Sequence, residues 1–279
     1  MIPQHRTGGA LGNGVLVCDI DGTLTEPGAV SVPYSVISAL RPFNEDGRLL
    51  ISTGRHWNSV QRLFRQIGFV PTISLAGAAL HLRGWDRPSS IFAMPEGVAS
   101  DVLARCNCLT ERVVLFTSES AFSPSPESFD RMTCELLGLR PTRLRTGDLD
   151  KLILKVLIVD HPKVLNAVAE SLQHIGVEVS SSVQGYLDIC APGVHKALFL
   201  PSFLNDKNSG DACKPHVVFI GDSFNDLTSA VLANESWTFK NAPDQLRKIA
   251  TGVLPDNSPR SLIELLTDIR QSPSFSRES

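Results

Sequence analysis

Three short apolar runs, each breaking off into reactive polar residues, constrain this chain more than any other feature. Val15 to Cys18 ends at Asp19-Ile20-Asp21-Gly22-Thr23, Leu49 to Ile51 at Ser52-Thr53-Gly54-Arg55, and His216 to Ile220 at Gly221-Asp222-Ser223-Phe224-Asn225-Asp226. Helical stripes follow the first two, at Val36, Ile37 and Leu40 and at Val60, Leu63, Phe64 and Ile67. Strand and helix in alternation make a parallel sheet, and such sheets bind ligands at the carboxyl ends of their strands. The expected fold class is therefore α/β, with a Rossmann-like parallel-sheet core. Along the first strand, side-chain alternation points Asp19 and Asp21 the same way and Ile20 into protein. Two like charges so close raise each other's proton affinity unless a cation lies between them. Taken alone, Asp21-Gly22 reads equally as a common turn.

The alternation is interrupted once. From Gly84-Trp85-Asp86-Arg87-Pro88 to Cys190 the pattern mixes helices (95–105, 129–137) with strands (112–117, 152–159, 177–180, 186–190), a separate α+β module. Ser123-Pro124-Ser125-Pro126 inside it reads as a loop. Residues 1–83 and 191–279 then form the core, and 84–190 an inserted cap. Residues 72–82 read as one further apolar segment. Past the cap a helix is expected over 195–204, a polar loop over 205–211, and a disordered tail over 271–279. The glycine-bearing leader before Gly14 reads as flexible.

Composition removes several classes. At 279 residues with 42% hydrophobic and 20% charged residues the chain is an ordinary globular one, and a net charge of −3 gives no electrostatic footprint for nucleic acid. No apolar run approaches the roughly 20 residues that cross a bilayer, and the first 14 residues lack a signal peptide's apolar segment, so no membrane partner and a cytoplasmic location are expected. The six cysteines show no Cys-x-x-Cys pair and read as reduced thiols. No His-Glu-x-x-His or Gly-x-Ser-x-Gly string offers zinc or serine chemistry.

What remains at the strand ends is hard oxygen donors, a hydroxyl and, at Lys196, one ammonium. That inventory suits phosphoryl transfer with Mg²⁺, which prefers oxygen ligands and offsets the repulsion between carboxylates and an anionic substrate.

At these residues the chain resembles the haloacid dehalogenase (HAD) superfamily of phosphatases, in its Cof-type branch with the larger α/β cap. Asp19-Ile20-Asp21-Gly22-Thr23 matches the first motif, Ser52-Thr53-Gly54-Arg55 the second, Lys196 in Ala191-Pro192-Gly193-Val194-His195-Lys196 the third, and Gly221 to Asp226 the fourth. Asn241-Ala242-Pro243 and Asp256-Asn257 look like the branch's closing segments. The resemblance makes Asp19 the nucleophile that becomes an aspartyl phosphate, and Asp21 the acid and then base. It makes Thr53 a donor to the phosphoryl group and Lys196 its counter-charge, with Gly54, Arg55 and Asn225 also on the substrate. Mg²⁺ would be held by Asp19, Asp222 and the main-chain carbonyl of Asp21, with Asn225 and Asp226 around it. The cap position implies a lid that carries specificity for a small phosphorylated metabolite, a sugar or polyol phosphate, in a monomer or homodimer.

Blander readings stand beside these. Lys196 alone reads as a solvated helix residue, Thr53 and Asn225 as helix caps, and Arg55 and His56 either as exposed helix-start residues or as substrate contacts. Trp85, Phe92 and Phe122 read as core or cap packing. The branch's usual Asn-Gly-Ala is Ala76-Gly77-Ala78 here, so one amide near the leaving group is missing. A phosphomutase on hexose phosphates shares the first motif. A receiver-like phosphoacceptor or binding protein shares the acids, hydroxyl and lysine, but lacks the second acid of Asp-x-Asp and a large cap.

Overall fold

The computed structural model describes residues 13–26, 29–82, 84, 86–181, 185–207 and 214–275. Expectations for the leader before residue 13, for Trp85 and for most of the 205–211 loop lie outside them. An eight-stranded sheet is built from β1 (Gly14–Cys18), β2 (Leu49–Ser52), β3 (Thr72–Ser74), β4 (Ala79–His81), β5 (Ser90–Ile91), β12 (His216–Ile220), β13 (Glu235–Phe239) and β14 (Gly252–Leu254), in the order β14-β13-β12-β1-β2-β3-β4-β5. It is parallel from β14 through β3 and antiparallel from β3 to β5. A six-stranded sheet, β10-β11-β9-β6-β7-β8, comprises β6 (Val113–Phe116), β7 (Ala121–Ser123), β8 (Thr142–Arg143), β9 (Lys155–Val159), β10 (Glu178–Ser180) and β11 (Tyr186–Cys190).

Helices α1 (Tyr34–Glu45), α2 (Trp57–Phe64), α6 (Leu200–Lys207), α7 (Leu227–Leu232), α8 (Asp244–Ile249) and α9 (Pro259–Gln271) accompany the first sheet; α3 (Val98–Cys106), α4 (Arg131–Leu137) and α5 (Pro162–Ser171) accompany the second. α1 and α9 bury Val36, Ile37, Leu40, Leu262, Leu265 and Leu266 in one cluster under β1 and β2. No helix among the described residues is long and apolar enough to cross a membrane.

Register explains why the motifs meet. Cys18 on the central strand lies opposite Ile51 of β2 and Ile220 of β12. One residue further, Asp19, Ser52 and Gly221 lie at the same end of the sheet, so three motifs scattered over the chain share one crevice.

Four expectations need correction. The 72–82 segment is a hairpin, because Leu75 (φ 52°), Ala76 (φ 59°) and Gly77 (φ 108°) turn the chain between β3 and β4. Within the 84–190 stretch, β5 pairs with the core sheet through β4. The helix expected from His195 begins only at Leu200, after a run of turns. Of the tail expected to be disordered over 271–279, residues 276–279 lie outside the described ones, and the described part is ordered, with Gln271 closing α9 and Phe275 buried. Its ring meets Phe43 edge-on at 5.4 Å, its carbonyl accepts from Arg48 at 3.0 Å, and Ser274 O accepts from Gly14 N at 2.7 Å. A single phenylalanine in a polar tail carries no periodicity, so its burial leaves no sequence pattern.

Candidate active site

Asp19, first residue past β1, is 2% exposed and pairs with the Lys196 ammonium at 2.8 Å. Lys196 is itself 1% exposed and reaches Asp226 Oδ1 at 3.0 Å. Its backbone is fixed by Ser52, whose hydroxyl donates to Lys196 O at 2.8 Å. Gly77 makes that approach possible, since a Cβ there would lie 2.0 Å from His195 O. Two facing acids raise the Lys196 proton affinity despite its burial, so it stays cationic.

Asp226 is consumed by organisation. Its Oδ2 accepts from Asp222 N (3.1 Å), Ser223 N (3.0 Å) and Ser223 Oγ (3.0 Å), while Oδ1 takes Lys196. Asp222 in turn is aimed by Thr23, which donates to its Oδ1 at 3.0 Å. Gly22 (φ +76°) has no substitute here, because a Cβ would sit 2.1 Å from Asp222 Oδ2. Asn257 spans the same turn, donating to Gly22 O at 2.9 Å and Thr25 O at 3.0 Å. Asn225 accepts from Ser223 Oγ at 2.6 Å, and its buried Nδ2 has no hydrogen-bond partner among the described residues.

Burial raises the Asp19 carboxyl well above the usual carboxylate range, with Asp226, Asp222 and Asp21 adding to it and Lys196 opposing. Burial, and then Asp226, push Asp222 up to about 7. Oxygen atoms of Asp19, Asp222 and Asp226 lie within 4.8 Å of one another. Three carboxylates against one lysine leave an excess of negative charge that a hard dication fits, and Asp19 and Asp222 each have a single competing partner, against four for Asp226.

Asp21 points elsewhere. Arg55 grips its carboxylate bidentately, Nε at 2.8 and 3.1 Å and Nη2 at 2.5 Å, and is itself held by Ser59 Oγ (3.2 Å) and Ala29 O (3.0 Å). Arg55 and His56 are both buried, which removes their exposed reading. Thr53 is buried, its hydroxyl accepts from Arg55 N at 3.2 Å, and its proton has no acceptor among the described residues. Ala76 N and Leu75 N donate to Thr53 O (3.1 Å) and Arg55 O (3.0 Å), so the hairpin holds the second motif in place with a left-handed alanine where asparagine is the less strained residue. Phe92 is exposed and Phe122 buried.

One face of the cap sheet covers this crevice. Lys155 and Leu157 of β9, Phe116 of β6, and Tyr186 and Asp188 of β11 share a face by period-two alternation and line one cleft with Asp19, Asp21, Arg55 and Lys196. Thr23 and Ser223 entered the sequence reading only within motifs, without a role, and Lys155 and Asp188 were missed altogether. For the last two the available signal was a charge inside an apolar strand.

A haloacid dehalogenase-like hydrolase family model matches residues 16–266. Pyridoxal phosphate phosphatase YbhA of Escherichia coli (strain K12) is 22% identical over 266 residues, covering 90% of this chain and 97% of that protein. A HAD/COF-like hydrolase from Plasmodium vivax superposes with a TM-score of 0.76 at 18% identity, over 92% of this chain and 96% of that one. A HAD subclass IIB sugar phosphatase does so with a TM-score of 0.72 at 16% identity, over 92% and 98%. Family match, shared fold and the four assembled motifs place the chain in the haloacid dehalogenase-like hydrolase family.

Proposed function

We propose that this protein is a phosphatase that hydrolyses the monoester of a small phosphorylated metabolite through an aspartyl phosphate on Asp19, with Mg²⁺ as its cation. The observation that carries the reading is the buried Asp19 carboxylate, ion-paired to Lys196 at 2.8 Å and opening on the covered cleft. An Asp19 oxygen attacks phosphorus and the bond to the leaving oxygen breaks. Asp21 delivers the proton to that oxygen, then removes one from water, which attacks phosphorus and frees Asp19 and inorganic phosphate. Arg55 positions Asp21 for both transfers. Thr53 and Lys196 face the phosphoryl oxygens, with Gly54 and Asn225 beside them, and Asp226 fixes Lys196 and the Asp222 loop.

Mg²⁺ would be held by Asp19, Asp222 and the Asp21 carbonyl, next to Asn225 and Asp226, and would supply charge neutralisation at the phosphoryl group. Residues 84–190, apart from β5, act as the lid over a core of 1–83 and 191–279. Five free cysteines among the described residues accord with a reducing compartment, the cytoplasm. The protein acts as a monomer or homodimer.

A sugar or polyol phosphate is the first substrate reading, in keeping with the subclass IIB sugar phosphatase. The apolar walls of the cleft, Phe116, Leu136, Leu137 and Leu157, favour a second one, a heteroaromatic alcohol phosphate such as the pyridoxal phosphate of the Escherichia coli relative. Phosphate release from a panel of both kinds, with Mg²⁺ and with EDTA, tests reaction and class together. Mg²⁺-dependent release that disappears in Asp19→Asn supports the proposal, and release that survives in Asp19→Asn contradicts it. Isomerised hexose phosphate in place of free phosphate would instead mark a phosphomutase.

A further inference from the structure

Two charged side chains of the cap stand inside otherwise apolar strands, and the reaction at Asp19 uses neither. Lys155 and Asp188 are 3% and 1% exposed and form an ion pair diagonally across β9 and β11. Burying such a pair costs desolvation that its attraction repays only with excellent geometry and further hydrogen bonds, so apolar residues would serve stability as well. Lys155 Nζ also donates at 2.7 Å to the carbonyl of Gly54, the residue after Thr53. Among the described residues it has no third hydrogen-bond partner, which leaves one N–H for a ligand.

His56, on the core wall of the same cleft, is the independent observation. Its ring is 1% exposed and stacks on Trp57 at 3.8 Å. Nδ1 accepts from Asn58 N at 3.2 Å, which puts the proton on Nε2, and buried Nε2 has no hydrogen-bond partner among the described residues. Burial keeps the imidazole neutral, with its pKa lowered to about 3. A buried donor without an acceptor is uncommon and asks for one from a ligand.

We infer that Lys155, Asp188 and His56 determine specificity for the leaving group, reading an oxygen-bearing edge of a ring whose faces lie against Phe116, Leu137 and Leu157. The inference rests on the phosphatase reading above and adds the cap side of it. A ring hydroxyl accepts from Lys155 or His56 and donates to Asp188; an aromatic ring or a pyranose can supply that edge.

The experiment compares kcat/KM for phosphate release, with Mg²⁺, within two matched pairs. One is hydroxybenzyl phosphate (2- and 3-isomers) against benzyl phosphate, the other glucose 6-phosphate against tetrahydropyran-2-ylmethyl phosphate. The hydroxylated member of one pair is expected to be preferred at least about tenfold, since a site built to hydrogen-bond a hydroxyl rejects the analogue without it. The pair that shows the preference identifies the ring. In Lys155→Met, Asp188→Asn and His56→Phe the ratio is expected to fall below about threefold, whatever the absolute rates. If Lys155→Met fails to fold, Asp188→Asn and His56→Phe carry the comparison. Equal turnover of both members of both pairs by the wild type, or a preference that survives all three substitutions, overturns the inference. No phosphate from any of the esters would overturn the phosphatase reading itself, and this inference with it.

Discussion

The molecule buries two lysines against acids at one crevice, and they differ in everything except burial. Lys196 in the core faces Asp19 at 2.8 Å and Asp226 at 3.0 Å, inside a cluster that also holds Asp222. Lys155 in the cap has the single acid Asp188 and a backbone carbonyl of the core. The core lysine leaves an excess of negative charge, which a cation and a transferring phosphoryl group can use. The cap pair is neutral and fixed, suited to reading a neutral leaving group. On the proposed reading, charge balance separates the half of the site that performs the reaction from the half that selects what undergoes it.

Lys196→Met should break the core half on every substrate, with kcat falling at least about 10³-fold, because Asp19 loses its partner and the phosphoryl group its counter-charge. Removing one member of a buried pair also destabilises by about 3–5 kcal/mol, so a urea melt is expected to move with it. Lys155→Met should instead change rates by amounts that depend on the leaving group. Equal losses on all substrates for both variants would erase the distinction.

Arg55→Lys ranks next. It keeps the charge but loses the fork that holds Asp21 by three contacts, and lysine does not replace arginine at a bidentate site. A fall in kcat of about 10-fold to 100-fold is expected for alkyl phosphates, whose poor leaving groups need the Asp21 proton. For aryl phosphates the fall should be smaller. An equal loss on both would separate Arg55 from proton transfer.

The pH dependence of cation binding sharpens the comparison further. Asp222, about 3.8 when unfolded, is pushed up to about 7 in the folded protein. Between those values the folded state holds the extra proton, so this group's contribution to stability is present below about pH 4 and lost as pH rises through about 7. His56 and His81, lowered to about 3 and about 4, act oppositely: their contribution is present above about 6.5 and lost as pH falls. The two contributions oppose each other in the free protein, whereas Mg²⁺ competes only with the acid protons. The rise in Tm on adding Mg²⁺ is therefore expected to grow from pH 5 to pH 7.5. A constant increment would contradict cation binding at Asp222.

The smallest effect is expected at Ala76. Asparagine tolerates φ 59° better than alanine, so Ala76→Asn should stabilise by about 0.5–1 kcal/mol in a denaturant melt. Destabilisation would mean that the amide finds no room in the hairpin.

How much of this was legible in the sequence follows the same division. The core half was readable because its residues sit one step past apolar runs, and parallel register brings such positions together without further information. Arg55 was ambiguous because a residue after a strand end can face solvent or fold back, and only the position of Asp21 decides. The cap half was not readable. Lys155 and Asp188 meet through a cross-strand diagonal, and the sheet face they occupy matters only once it covers the core. Phe275 and the 72–82 hairpin were hidden similarly, one by isolation in a polar tail and the other by three left-handed residues in an apolar stretch.

The central claim is that Asp19 receives the phosphoryl group whatever the cap selects. Its most direct test is mass spectrometry of the peptide that carries residues 14–25 after acid quench of Asp21→Asn turning over an aryl phosphate with Mg²⁺. Without the Asp21 base the intermediate should persist, and the account predicts a phosphoryl adduct on Asp19 that is absent when Asp19→Asn is added. An adduct on another residue, or phosphate release undiminished in Asp19→Asn, would contradict it.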